Sequence, residues 1–159
     1  MKRLTSLSLL LVIGILASAA SAAPARPRPE IMGISLEMSR DDALARLKSI
    51  GSLERDDRKR QEVWTVKDPR ISHLLVGYDA DYRVRYVTAI ARTDGPGIRY
   101  QEIADLKSAQ RSSTSGNHKF TWEIESHRGK AAFIIIARGH DPQYLESYSV
   151  KKADQEEID

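Results

Sequence analysis

Hydrophobic positions fall into three kinds of run along the chain. From Leu7 to Ala20 they are nearly continuous, broken only by Ser8, Gly14 and Ser18. Between positions 43 and 50 they recur at helical spacing: Ala43, Leu44, Leu47 and Ile50 outline one stripe. Ser39 can cap the free amides of that helix, Asp41 and Asp42 suit its first turn, and Gly51 is expected as a left-handed stop. Beyond it the runs are short and rich in β-branched and aromatic residues, which predicts strands over Glu62–Val66, Ile71–Tyr78 and Tyr82–Arg92. Further strands are predicted over Lys119–Glu125, Ala131–Ala137 and Tyr144–Val150, after a second helix from Tyr100 to Gln110. The segment Arg55–Arg60 reads as a mixed-charge loop and Ser112–Asn117 as a Ser/Thr/Gly loop.

These elements predict an α+β chain of two tandem units, each a helix plus a three-stranded antiparallel sheet. The helices pack on one sheet face and leave the other open. The expected boundaries are a signal peptide over 1–22, a Pro/Arg-rich linker over 23–30 and a first unit over 31–92. A linker follows over 93–97, then a second unit over 98–152 and an acidic tail over 153–159. An internal repeat accompanies this division. Gly77, Asp79, Tyr82 and Tyr86 lie 62 positions before Gly139, Asp141, Tyr144 and Tyr148, and Leu44 and Leu106 share that offset. Trp64 and Trp122 are 58 apart, which loop-length differences absorb. Trp64 with Val66, and Phe120 with Trp122 and Ile124, read as core.

The first apolar run changes the picture most. Met1-Lys2-Arg3, the run itself and the small-x-small site Ala20-Ser21-Ala22 have the three-part layout of a secretory signal peptide. The run is shorter than the ~20 apolar residues that span a bilayer. Cleavage after Ala22 would remove Lys2 and Arg3 and lower the formal net charge from +3 to +1. A charge so small, with no concentrated basic face, argues against nucleic acid as a partner. With 159 residues, 41% of them hydrophobic and none of them cysteine, the chain is long enough for one domain or two very small ones. It cannot carry a disulfide framework, a thiolate metal site, a thiol nucleophile or an N-terminal lipid anchor on cysteine.

The sequence carries no recognisable catalytic pattern. His73, His118, His127 and His140 form no i, i+4 pair, no serine sits in a Gly-x-Ser-x-Gly elbow, and Gly95-Pro96-Gly97 is no phosphate loop. No cofactor and no metal are expected. Glu123 and Glu125 lie two apart on a strand and point to one side. Tyr82, Tyr86, Tyr144 and Tyr148 share strand parity within each unit, and read as core or core rim rather than as an aromatic binding stripe. Arg83 and Arg85 would then emerge together on the open face, where arginine is a favoured anchor for protein contacts.

Gly33-Ile34-Ser35-Leu36-Glu37-Met38-Ser39, followed by Asp41, Leu44, Leu47 and Gly51, resembles the SmpA/OmlA (BamE-like) outer-membrane assembly family. The family's usual glycine before Met-Ser is Glu37 here. The tandem arrangement is also similar to the β-lactamase inhibitory protein, which binds an enzyme with a sheet face. The resemblance implies a non-catalytic exported binding protein of the bacterial cell envelope, periplasmic or secreted, that contacts another protein through an open sheet face. The protein-binding candidates are Arg83, Arg85, Glu123, Glu125, Tyr144 and Tyr148. The alternative is a small envelope ligand-binding protein or enzyme using His118, Glu123, Glu125 and His127 of the second unit.

Overall fold

A computed structural model describes residues 26–57, 60–125 and 132–153. In chain order the elements are β1 (Glu30–Ile31), β2 (Ile34–Ser35), α1 (Arg40–Ile50), β3 (Gly51–Asp57), β4 (Gln61–Val66), β5 (Ile71–Tyr78), β6 (Val84–Ala91) and β7 (Ile98–Arg99). Then come α2 (Tyr100–Ile103), a 3-10 turn (Leu106–Ser108), β8 (Gln110–Thr114), β9 (Asn117–Ile124), β10 (Phe133–Gly139), β11 (Tyr144–Leu145) and β12 (Ser147–Lys152). The signal peptide, most of the acidic tail and His127 lie outside the described residues.

Eight of the strands form one antiparallel sheet in the order β3-β4-β5-β6-β12-β10-β9-β8. Each half is a four-stranded meander, and the last strands of the two meanders, β6 and β12, pair at the centre. The expected pair of helix-plus-three-strand units is therefore corrected: the chain is mostly β, with a single large sheet and one full-length helix among the described residues.

Three local departures account for the difference. Gly51 is not a left-handed stop; its φ of −165° is extended and it opens β3. Glycine is required there because an added Cβ would sit 2.2 Å from the Thr65 carbonyl oxygen. The expected second helix stops after one turn. Ala104 is extended and fully buried, and the Asp105 side chain accepts from the Lys107 amide at 3.0 Å to start a separate 3-10 turn. The Ser112–Asn117 segment is no loop but a hairpin, β8 turning into β9 through Ser115 and Gly116, both with positive φ.

The helix α1 forms as its sequence dictates. Ser39 caps it by accepting from the Asp42 amide at 3.2 Å, with Asp41 and Asp42 in the first turn, and Ala43 and Leu47 are buried. Its apolar stripe joins one continuous core with Trp64, Val66, Leu74, Val76, Val84, Val87 and Ala89 from the first meander. Phe120, Trp122, Ile135, Ala137 and Val150 continue that core through the second. The β1–β2 hairpin, turned by Met32 and Gly33 at positive φ, drives Ile31 and Ile34 into the same core.

Candidate functional site

Because side chains alternate along a strand, the core residues fix which positions point the other way. On β4 these are Gln61, Val63 and Thr65; on β5, His73, Leu75 and Gly77; on β6, Tyr86, Thr88 and Ile90. Ladder pairing carries the same face across the centre to Ser149 and Lys151 of β12 and to Ile134, Ile136 and Arg138 of β10. It ends on Lys119, Thr121 and Glu123 of β9. Val63, Leu75, Ile90 and Ile136 are half-buried there, so this face presents aliphatic side chains that no described element covers fully.

Polar contacts order the rest of the face. Tyr86 lies across Gly77, whose missing Cβ makes room for the ring, and its hydroxyl donates to Gln61. At the seam the Thr88 and Ser149 hydroxyls meet at 2.8 Å. Glu54 accepts from Thr65 Oγ1 at 3.2 Å and lies 3.1 Å from His73 Nε2. His73 Nδ1 in turn lies 3.0 Å from Ser72 Oγ. The Ser72 hydroxyl also donates to the Ile90 carbonyl at 3.2 Å. In the second meander a groove of about 590 Å³ runs along the face, lined by Lys119, Thr121, Glu123, Glu125, Ile134, Ile136 and Lys151 among others. Gln110 Nε2 donates to Glu123 Oε1 at 3.2 Å on its rim.

The sequence candidates are divided by this geometry. Glu123 and Glu125 come together in the groove. Arg83 does not reach the open face. Its backbone bridges to Ser39 and its guanidinium donates to the Glu37 carbonyl at 3.0 Å, on the helix side. Arg85 occupies a bulge, where Tyr78 pairs with Val84 but Gly77 pairs with Tyr86. That extra residue reverses the strand's phase. Val84 is accordingly core, Tyr86 lies on the open face, and Tyr82, at positive φ, is 53% exposed; the expected core stripe of tyrosines is not formed. Tyr144 is exposed in β11 beneath the Arg99 guanidinium, 5.7 Å from the ring centre. Tyr148 points to the core side, half-buried in a cleft with Arg28 and Glu102, and burial pushes its phenol pKa up. His118 shares strand parity with Phe120 and Trp122, and its Nδ1 is buried without a partner among the described residues.

A buried polar cluster escaped the sequence reading. Glu62, 2% exposed, accepts from Arg40 Nε and Nη2 at 3.1 and 2.6 Å, from Trp64 Nε1 at 3.1 Å and from the Tyr78 hydroxyl at 3.2 Å. Burial and the neighbouring carboxylate push the Tyr78 phenol far up, and the hydrogen bond to Glu62 raises Arg40. The available signal was Glu62 sharing strand parity with Trp64 and Val66, a carboxylate on a core face. No group of three or more metal-ligating side chains occurs among the described residues. Compared with known protein families, characterised proteins and solved structures, the chain matches none.

Proposed function

We propose that the chain is a non-catalytic, exported binding protein of the bacterial cell envelope that contacts another protein through the open sheet face. The observation that carries this reading is the face itself, with Val63, Leu75, Ile90 and Ile136 half-exposed across paired strands and charged residues at the margin. Aliphatic surface of that kind, rimmed by polar groups, suits a protein interface. The signal-like N-terminus supports export. The likeness to the SmpA/OmlA family gains one support from conformation. Glu37 has φ of 66°, a left-handed geometry that favours glycine, at the position where the family's glycine stands. Capture from an envelope extract tests the reading: Ile136→Asp with Leu75→Asp is expected to lose the captured protein, and Ala45→Asp on the exposed side of α1 to retain it. Equal capture by both variants, each folded, would remove the open face from the function.

A second reading rests on the groove. Two carboxylates and two ammonium groups in one cleft suit a small polar or zwitterionic ligand. Native mass spectrometry of chain purified from its own cells would favour it if a retained small molecule disappears with Glu123→Gln and Glu125→Gln.

A further inference from the structure

We propose that two copies of the chain join edge to edge through β8, extending the sheet antiparallel across a two-fold axis at Ser112. The two edges of the sheet are not alike. The β3 edge is guarded: it carries Glu54, Arg55 and Asp56, and its register is broken by a bulge between Leu53 and Arg55. Bulges and charges are what keep edges from pairing. The β8 edge has no bulge and a single charge, Arg111. Its sequence is Gln-Arg-Ser-Ser-Thr, it pairs with β9 in unbroken register, and all five residues are exposed.

The hairpin decides which groups that edge offers. A two-residue turn at Ser115 and Gly116 makes Thr114 and Asn117 a hydrogen-bonded pair, and alternation then turns the backbone of Thr114, Ser112 and Gln110 toward β9. The amides and carbonyls of Arg111 and Ser113 point outward, and no described residue bonds to them. A second β8 laid antiparallel about Ser112 sets Arg111 of one copy against Ser113 of the other, twice. Outward groups meet outward groups, giving four backbone hydrogen bonds between chains. Charge selects the same register. A shift that centres Arg111 opposes two arginines directly, which is unfavourable across a ladder. A shift that centres Ser113 brings the left-handed Ser115 into the pairing, where extended backbone is needed.

Sedimentation of the purified chain over a range of concentrations tests the association. A reversible monomer–dimer equilibrium is expected. Ser113→Pro removes an outward amide but none of the β8–β9 bonds, and proline is tolerated on an edge. Losing its two symmetric bonds is expected to weaken dimerisation at least about tenfold. The chain's lack of cysteine allows a register test that does not depend on that variant. Facing Cα atoms at Ser112 would lie ~4.5 Å apart, within disulfide range. Oxidised Ser112→Cys is therefore expected to cross-link. Gln110→Cys and Thr114→Cys are expected to cross-link only when mixed with each other. A monomer at every concentration would overturn the proposal. So would a dimer indifferent to Ser113→Pro, or one that cross-links equally well at 110, 112 and 114.

Discussion

The two halves of the sheet place a tryptophan on the second strand of each meander and satisfy it in opposite ways. In the first, Trp64 donates its indole N–H to the buried Glu62, and that carboxylate is held by Arg40 from the first turn of α1. In the second, Trp122 donates to the backbone carbonyl of Asp105 at 2.8 Å, and Tyr100 and Phe120 fill the adjoining space with ring centres 4.5 Å apart. The difference follows from the helix. An eleven-residue helix presents a cation to the sheet, so a strand can bury a charge beneath it. Where the helix is a single turn, the chain just beyond it descends to the core and supplies the acceptor directly, from Asp105. Equivalent positions in a repeated topology thus reach the same end, a satisfied buried N–H, through side-chain electrostatics in one half and main-chain geometry in the other.

Truncating either tryptophan should be the largest perturbation. Trp64→Ala and Trp122→Ala are each expected to cost about 3–5 kcal/mol, read from denaturant midpoints, through lost burial and the cavity left behind. The halves separate at the next step. Arg40→Ala leaves the buried Glu62 carboxylate with only the Trp64 and Tyr78 donors and is expected to cost about 2–3 kcal/mol, the arginine being partly solvated. Arg40→Met with Glu62→Met removes the buried charge but also the acceptor of Trp64 and Tyr78, and should recover only part of that loss. No counterpart lies under Trp122 among the described residues, so a comparable loss from any single charge in the second half would break the comparison.

Alkaline pH probes the first half more gently. Tyr78 ionises at ~10 when unfolded and well above that when folded, because of burial and Glu62. Above pH ~10 the unfolded state therefore binds fewer protons, and stability falls as pH rises. Tyr78→Phe is expected to flatten that decline, and to cost about 1 kcal/mol near neutrality for the hydrogen bond it removes. Tyr100 and Tyr148, also raised by burial, leave a residual slope. The smallest effect belongs to an exposed pair. Glu102 is held below the usual carboxylate range by the Arg99 amide and then by Arg70. Its contribution is present above the unfolded pKa and is lost as pH falls through the folded one. Glu102→Gln should change stability by less than about 1 kcal/mol, since both partners are partly solvated.

Much of the core was legible because burial writes itself as alternation. Ile71–Tyr78 matches β5 at both ends, α1 is capped as its sequence indicates, and Trp64, Val66, Phe120 and Trp122 are buried. Within the eight-stranded sheet, the two strands without a sequence signal, β3 and β8, are its two edges. Apart from Gly51 and Leu53 their side chains are polar, and all five of β8 are exposed, so they carry no hydrophobic period. Backbone pairing and polar contacts such as Glu54–Thr65 and Gln110–Glu123 hold them in the sheet. The open face departs from strict alternation at two points, Arg83, which lies before β6 and turns to the helix side, and Arg85. The bulge at Arg85 reverses the phase of β6, and a period-two reading that crosses it assigns Tyr86 to the wrong side. Glu62 was overlooked for a related reason, since its partner Arg40 is 22 residues away and only the tertiary fold joins them.

Site-specific photo-crosslinking in living cells tests the open face most directly. A photoreactive amino acid placed at Leu75 or Ile136, both half-buried there, should yield a discrete adduct with one protein of the envelope, while the same group at the exposed Ala45 of α1 yields none. Adducts from Ala45 with none from Leu75 or Ile136 would contradict the assignment of that face as the contact surface.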